Sequence, residues 1–254
     1  MTAILLLALT LGVDQPVRKT YTLDSLDRIA DIYAPSKATQ HPPLVFAFHG
    51  HGGNARNAER SFHVEKEWPE AVVVYMQGLP SKGRTDPEGT KNGWQIGLSD
   101  LGGRDLAFFD AVYQDVTKGY DVDLDRVYAM GHSNGGRFTY VLWAARGDLF
   151  AAFGPSGSPS TGLKLKPKPA FHIAGETDPI VPFAGQKFTV ENIRKMDGCS
   201  GEGKSISEYA TLYKGLDGND VVAYFHPEGH TYPTAKAPAM IVDFFKSHVR
   251  KTKA

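Results

Sequence analysis

One stretch constrains the fold of this chain more than any other: the segment from Arg126 to Arg146, RVYAMGHSNGGRFTYVLWAAR. Its apolar start, at 127–130, predicts a buried strand, and the apolar spacing of its second half predicts a helix. The pattern G-x-S-x-G lies between them, with Ser133 at its centre. A strand that turns at once into a helix places this serine on a tight corner. Glycines on both sides let neighbouring backbone approach and leave the serine hydroxyl uncovered.

Strands and helices alternate along the rest of the chain. Apolar runs predict strands at 44–48, 71–76, 151–153, 170–175, 208–213 and 221–225, after an antiparallel edge hairpin at 18–23 and 28–34. Helical spacing is found at 55–66, 105–120, 186–196 and 237–249. This alternation predicts an α/β fold with a mostly parallel central sheet and helices on both faces.

Length and charge narrow the classes of partner. The chain has 254 residues, and we expect one catalytic domain over 18–254. Lys plus Arg and Asp plus Glu both number 28, so the formal charge is zero and neither nucleic acid nor an anionic membrane surface is an expected partner. The single cysteine, Cys199, allows no intramolecular disulfide, and we expect it to be an unreactive surface or loop thiol rather than a catalytic one.

The N-terminal apolar run at 4–11 is too short to span a membrane. No Lys or Arg precedes it and no A-x-A site follows it, yet it fits a signal peptide better than a structural strand. We therefore expect residues 1–17 to be a signal peptide or an N-terminal remnant. Secretion or a periplasmic location follows from that expectation.

Polar segments follow four of the predicted strands. They are the corner at Ser133 and the runs 49–53, 176–179 and 226–230. Because functional loops of a parallel sheet gather at the carboxyl ends of its strands, we expect these segments to lie together. A serine hydroxyl becomes a useful nucleophile only with a base to take its proton, an acid to orient that base, and donors for the resulting oxyanion.

Two of these segments supply the base and the acid. We predict His230 as the base, with His226 as the alternative, and Asp178 as the acid, with Glu176 as the alternative. The order along the chain is then Ser133, Asp178, His230, which is the order found in α/β-hydrolases.

The glycine-rich run 49–53 predicts a loop that turns a backbone N–H toward an oxyanion. The first donor is expected to be the N–H of Asn134, the residue after the serine, and the second that of His51, with Gly52 as the alternative. His49 and His51 are not predicted to bind metal, because no matching third ligand is evident. No metal or cofactor is expected.

Four ordered motifs carry a family resemblance: HGHGG at 49–53, GHSNGG at 131–136, TDPIVP at 177–182 and EGHTYP at 228–233. Together they resemble the polyhydroxybutyrate depolymerase and feruloyl esterase family, extracellular α/β-hydrolases that include acetyl xylan esterases. The resemblance implies Ser133 as nucleophile, Asp178 as acid and His230 as base. Two departures bear on the substrate: His51 and Tyr232 stand where the family often has Cys and Trp, and the disulfide common near the acid and the histidine is absent.

The long loop at 77–104 is the expected substrate wall. Trp94 and Gln95 are predicted to stack on or bond to an aromatic or sugar ring, although Trp94 fits equally well as an anchor between the loop and the core. The predicted function is a serine carboxylic-ester hydrolase that acts on feruloyl or acetyl esters of plant polysaccharide. A polyhydroxyalkanoate or other polyester is the alternative substrate, and a catalytically silent binding module is the alternative of a different class.

Overall fold

Alternating strands and helices run through residues 15–251, the part of the chain that the computed structural model describes. The strands are β1 Val17–Leu23, β2 Leu26–Tyr33, β3 Leu44–Phe48, β4 Val72–Met76, β5 Leu79–Pro80, β6 Asn92–Gly93, β7 Val127–His132, β8 Ala152–Ser156, β9 Ala170–Gly175, β10 Lys204–Ser205, β11 Ala210–Tyr213 and β12 Val221–His226. The helices are α1 Ala55–Phe62, α2 Val64–Glu67, α3 Arg104–Gly119, α4 Asn134–Arg146, α5 Phe183–Met196 and α6 Ala237–Lys246. Apart from its last three residues, the expected signal peptide or remnant at 1–17 lies outside the described residues.

Ten of the strands form one sheet in the order β1-β2-β4-β3-β7-β8-β9-β12-β11-β10. The six strands from β4 to β12 in that order pair in parallel, and antiparallel strands complete each edge. The parallel strands are those with continuous apolar runs. Such runs need cover on both faces, because successive side chains point to opposite sides of the sheet.

Helices cover both faces and bury two separate apolar clusters. On one face, Phe46 and Phe48 of β3 share a cluster with side chains from α3, α4 and α5. On the other face, Val45 and Ala47 of the same strand share a cluster with side chains from α1, α2 and α6. The α/β class with a mostly parallel, doubly covered sheet, predicted from the sequence, is confirmed.

Two segments differ from the sequence prediction. The helix expected at 55–66 is split at His63, which has a left-handed backbone (φ 31°), and α2 then begins with the Val64 N–H bound to the Tyr75 hydroxyl at 3.0 Å. The long loop at 77–104 contains the small β5–β6 pair and a helical turn at 100–103. Within residues 15–251, no helix is long and apolar enough to cross a membrane.

Candidate active site

The corner between β7 and α4 has the strained backbone that the sequence pattern predicts. Ser133 adopts φ 57° and ψ −119°, a conformation uncommon for a residue with a side chain. Its N–H donates to the carbonyl of Ser156 in the adjacent strand β8 at 2.8 Å, which holds the corner in place. A Cβ at Gly131 would lie only 2.5 Å from the carbonyl of Gly135, so the turn requires glycine there.

The structure brings Ser133, His230 and Asp178 into one hydrogen-bonded line. The Ser133 Oγ lies 2.7 Å from His230 Nε2, and His230 Nδ1 lies 2.6 Å from Asp178 Oδ2. An ionised carboxylate can only accept, so Nδ1 carries the proton and Nε2 presents its lone pair to the serine hydroxyl. Asp178 follows β9 and His230 follows β12, so neighbouring strand ends deliver both side chains to the corner.

The environment of Asp178 favours its charged form. Burial by itself would raise the pKa of this carboxyl, but hydrogen bonds from His230 and from the backbone N–H groups of Val181 and Ile180 outweigh burial and lower the pKa. Both of those N–H groups donate to Oδ1 at 2.8 Å. The turn that Pro179 begins therefore leaves Oδ2 aimed at His230.

The alternative acid and base do not reach the serine. The Glu176 side chain is exposed, and only its backbone is engaged, through an N–H bond to the His226 carbonyl. The His226 ring is buried, and neither of its nitrogens has a partner among the described residues. Burial lowers the pKa of His226. Its place at the end of β12 is that of a core histidine.

His132 supports the corner from beneath. Its Nδ1 lies 3.0 Å from the Ser156 hydroxyl, and its ring centroid is 4.9 Å from that of His230. Burial, aided by the charge of His230, lowers the pKa of His132 to about 3. A ring that stays neutral packs against His230 without competing for its proton.

Two backbone N–H groups remain free to hold an oxyanion. Asn134 begins α4, and no atom within residues 15–251 accepts its N–H or that of His51. The N–H of Gly52, the alternative donor, is already bound to the Asn92 carbonyl at 2.7 Å. The amino end of a helix also carries partial positive charge, which favours an anion at Asn134.

The two histidines of the glycine-rich run make hydrogen bonds that hold the loop. His49 Nδ1 bonds the Gly50 carbonyl at 2.7 Å, and its Nε2 accepts the N–H of Gly78 at 2.9 Å. Burial lowers the pKa of His49 to about 4. His51 Nε2 lies 3.1 Å from Asp86. Across residues 15–251, no group of three or more His, Cys, Asp or Glu side chains is placed to bind a metal ion.

The chain is similar in sequence to proteins named as esterases. The chain is 30% identical over 194 residues to feruloyl esterase C of Emericella nidulans, covering 75% of this chain and 66% of that protein. It is 27% identical over 194 residues to the bifunctional acetylxylan esterase/xylanase XynS20E of Neocallimastix patriciarum, covering 72% of this chain and 27% of that protein. The matched regions thus span from about a quarter to about two thirds of these relatives. No protein-family model matches the chain.

Solved structures give the same fold. The acetyl xylan esterase from Aspergillus awamori superposes with a TM-score of 0.68 at 17% identity, over 91% of this chain and 99% of that one. A thermostable esterase superposes with a TM-score of 0.65 at 16% identity, over 94% of this chain and 64% of that one. The chain belongs to the feruloyl and acetyl xylan esterase family of α/β-hydrolases.

Trp94 and Gln95, the expected substrate wall, are placed differently from the prediction. Each residue is only 1% exposed, so neither side chain faces a substrate. The Trp94 indole stacks on Phe138, with centroids 5.3 Å apart, and donates its N–H to the His49 carbonyl at 2.9 Å. The Gln95 amide oxygen accepts the first N–H groups of α3, at Asp105 and Leu106. The structure therefore shows Trp94 as an anchor between the long loop and the core, which is the alternative role that the sequence left open.

Three side chains that the sequence analysis missed organise the site. The Asn134 amide pairs with both backbone groups of Trp94, accepting its N–H at 2.6 Å and donating to its carbonyl at 3.1 Å. Arg137, one turn along α4, binds the carbonyls of Ile96, Pro159 and Thr161. Gln186 contacts Asp178. Gln186 could have been noticed in the sequence as a polar residue within the apolar stripe of α5. No comparable signal marks the side chains of Asn134 and Arg137.

Cys199 fits the expected loop thiol. It is half-buried and free, and its sulfur faces the carbonyls of Tyr213 and Asn219 at 3.7 and 3.9 Å. Burial raises the pKa of the thiol to about 11, which suppresses the reactive thiolate.

Proposed function

We propose that the protein is a serine carboxylic-ester hydrolase that acts through an acyl-enzyme. The observation that carries the proposal is the continuous line Ser133–His230–Asp178, with hydrogen bonds of 2.7 and 2.6 Å beside two free backbone donors. Aligned hydrogen bonds of this kind solve the problem that a serine hydroxyl is a poor nucleophile at neutral pH.

The reaction follows from which atoms face one another. His230 Nε2 takes the Ser133 proton as Oγ attacks the ester carbonyl, and Asp178 stabilises the imidazolium. The N–H groups of Asn134 and His51 hold the oxyanion, each contributing on the order of 3 kcal/mol to the transition state. His230 then protonates the leaving alkoxide, and it later activates the water that releases the acid.

The proposed substrates are feruloyl or acetyl esters of plant polysaccharide. The names of the relatives support this choice, because they describe a feruloyl esterase and an acetylxylan esterase. We also propose that the protein works outside the cytoplasm, secreted or periplasmic, as the N-terminal apolar run suggests. Cell fractionation with an antibody to the chain tests the location, and recovery in the cytosolic fraction alone would contradict it.

Replacement of Ser133 by Ala tests the activity. We expect the variant to lose at least about 10³-fold in kcat on p-nitrophenyl acetate, while Ser36→Ala, which removes an exposed hydroxyl on a different loop, retains wild-type activity. Hydrolysis that survives in Ser133→Ala would contradict the mechanism. A wild-type protein inactive on every ester would instead support a silent binding module.

A substrate panel separates the ester classes. We expect turnover of methyl ferulate or of acetylated xylan, with release of ferulate or acetate followed by chromatography. Faster erosion of a polyhydroxybutyrate film than hydrolysis of either of the other substrates would overturn the assignment in favour of a polyester.

A further inference from the structure

A row of buried polar side chains lies behind the proposed catalytic acid. Gln186 of α5, His172 of β9 and Tyr140 of α4 are each 0% exposed, although each has polar atoms that need partners. Polar groups buried this completely are costly unless they are hydrogen-bonded. They come from three separate elements, and Gln186 contacts the loop that carries Asp178.

The end of the row nearest the site is fixed by two hydrogen bonds. Gln186 Nε2 donates to Asp178 Oδ2 at 3.3 Å and to the Val181 carbonyl at 2.9 Å. Both acceptors require the amide nitrogen on that side, so the orientation of the amide is determined. Its oxygen, Oε1, must then point away from Asp178, toward the interior.

The far end is a second close pair. The Tyr140 hydroxyl lies 2.7 Å from His172 Nδ1. The atoms left over are His172 Nε2 and Gln186 Oε1, both buried without a hydrogen-bond partner among the described residues. Burial lowers the pKa of His172 to about 4, and Gln186 acts in the opposite direction, which is consistent with these two atoms facing each other.

One proton arrangement would satisfy every member of the row. Neutral His172 would donate from Nε2 to Gln186 Oε1, which pairs the two atoms left over, while its Nδ1 accepts from the Tyr140 hydroxyl. Each donor then points toward Asp178, from Tyr140 to His172, from His172 to Gln186, and from Gln186 to the carboxylate. The row ends on Oδ2, the oxygen that also binds His230.

We propose that Tyr140, His172 and Gln186 form a positioning relay that holds the Asp178 carboxylate oriented toward His230. The proposal rests on the proposed function, since it concerns the acid of the same site. None of the three contacts the reacting atoms, so they act only through Asp178.

Loss of the relay changes the interaction between Asp178 and His230. Without Gln186, Oδ2 has one donor instead of two, so its charge is less compensated and attracts the imidazolium more strongly. The His230 pKa should therefore rise. The Val181 carbonyl also loses its partner, but the N–H groups of Ile180 and Val181 still hold Oδ1, so the carboxylate stays paired with His230 while its orientation is less tightly fixed.

Other titratable groups around His230 do not obscure this effect. The titratable groups around the ring, besides Asp178, are His132 in ring contact and, next to His132, His226, with Glu176 and Glu228 near His226. Burial lowers the pKa of both His132 and His226, which favours the neutral form of these two rings.

Three variants test the relay. Gln186→Met keeps the volume of the side chain and removes both hydrogen-bonding ends, and Tyr140→Phe removes only the hydroxyl at the far end. Tyr128→Phe is the matched control. It removes an equally buried tyrosine hydroxyl, which bonds the His248 carbonyl at the same distance of 2.7 Å. This hydroxyl has no link to Asp178.

The primary readout is the titration of the His230 ring by NMR, which needs no turnover. We expect Gln186→Met to raise the His230 pKa by roughly one unit, Tyr140→Phe to raise it by less, and Tyr128→Phe to leave it unchanged. The acid limb of kcat/KM on p-nitrophenyl acetate should move with it. In Gln186→Met, kcat should fall about ten-fold with KM preserved.

The outcomes are separable from those of the proposed function. An unchanged His230 titration in Gln186→Met, or a shift there with none in Tyr140→Phe, overturns the relay whether or not the enzyme is active. A control that shifts as much as the relay variants overturns it as well. Failure of the proposed function would appear differently, as activity that survives in Ser133→Ala or is absent from the wild type.

Discussion

Replacement of Asp178 by Asn changes charge and hydrogen-bond direction while it keeps the shape of the side chain. The structure determines how the new amide must lie. Oδ1 accepts the N–H groups of Ile180 and Val181 at 2.8 Å each. Asparagine preserves both bonds only with its oxygen in that position, which turns its NH2 toward His230 Nδ1.

The opposite orientation of the amide costs more. It would leave two part-buried N–H groups without acceptors, at up to about 1–3 kcal/mol each. The favoured orientation instead places the new NH2 against Gln186 Nε2, which lies 3.3 Å from Asp178 Oδ2 in the native structure. It therefore creates only one donor–donor contact. The favoured orientation is therefore lower in free energy by about 1–3 kcal/mol, and His230 must accept at Nδ1.

A histidine that accepts at Nδ1 carries its proton on Nε2, which faces Ser133. It then has no lone pair for the serine proton, so we expect kcat for p-nitrophenyl acetate to fall about 10³- to 10⁴-fold with KM little changed. Steady-state kinetics at pH 7.5 measure the loss. Glu176→Gln is the control, because this exposed carboxylate makes no contact with His230, and it should keep wild-type rates.

Activity of Asp178→Asn within ten-fold of the wild type would refute this reasoning. So would a comparable loss in Glu176→Gln, since that result would make Glu176 the orienting acid. Chemical-denaturant unfolding of both variants shows whether either loss reflects a folding defect instead.

Two further predictions concern residues outside the hydrogen-bonded line. Trp94→Phe keeps most of the ring packing but leaves the His49 carbonyl without its indole donor. We therefore expect kcat to fall several-fold and the free energy of unfolding to drop by about 1–3 kcal/mol. A raised KM for methyl ferulate with unchanged kcat would instead show that Trp94 contacts the substrate. Asp197 is buried with Oδ2 unpaired, and burial raises its pKa to about 8. The folded state therefore holds a proton that the unfolded chain loses above about pH 4, and this group's contribution to stability decreases as the pH rises from about 4 to 8, by up to about 1.4 kcal/mol per unit. The advantage of Asp197→Asn in urea unfolding should accordingly grow between pH 5.5 and 7.5, whereas exposed Asp148→Asn should show no such growth.

The placement of Ser133, Asp178 and His230 could be predicted because each follows a buried strand. Continuous apolar runs identify parallel strands from local sequence, and the carboxyl ends of parallel strands meet at one edge of the sheet. Chain order then assigns the acid and the base. Chain order alone does not distinguish Asp178 from Glu176. The geometry of the turn does, because it buries the Asp178 carboxylate and exposes that of Glu176.

The position of Trp94 could not be predicted in the same way. It lies in a segment with no periodicity, so nothing local shows whether its ring faces solvent or the core. Its burial depends on a pairing across 40 positions, in which the Asn134 side chain binds both backbone groups of Trp94. Contacts between a side chain and a distant backbone leave no pattern in a single sequence.

That pairing explains how a long loop can be part of a rigid site. Asn134 supplies a free backbone N–H next to the nucleophile, and its side chain holds Trp94, whose indole in turn holds the His49 carbonyl at the start of the loop that carries His51. The two expected oxyanion donors are thus connected through one buried ring, although they lie on different segments. Since a donor stabilises an oxyanion only when it is held in place before the charge forms, we expect the Trp94 ring to order the proposed oxyanion site.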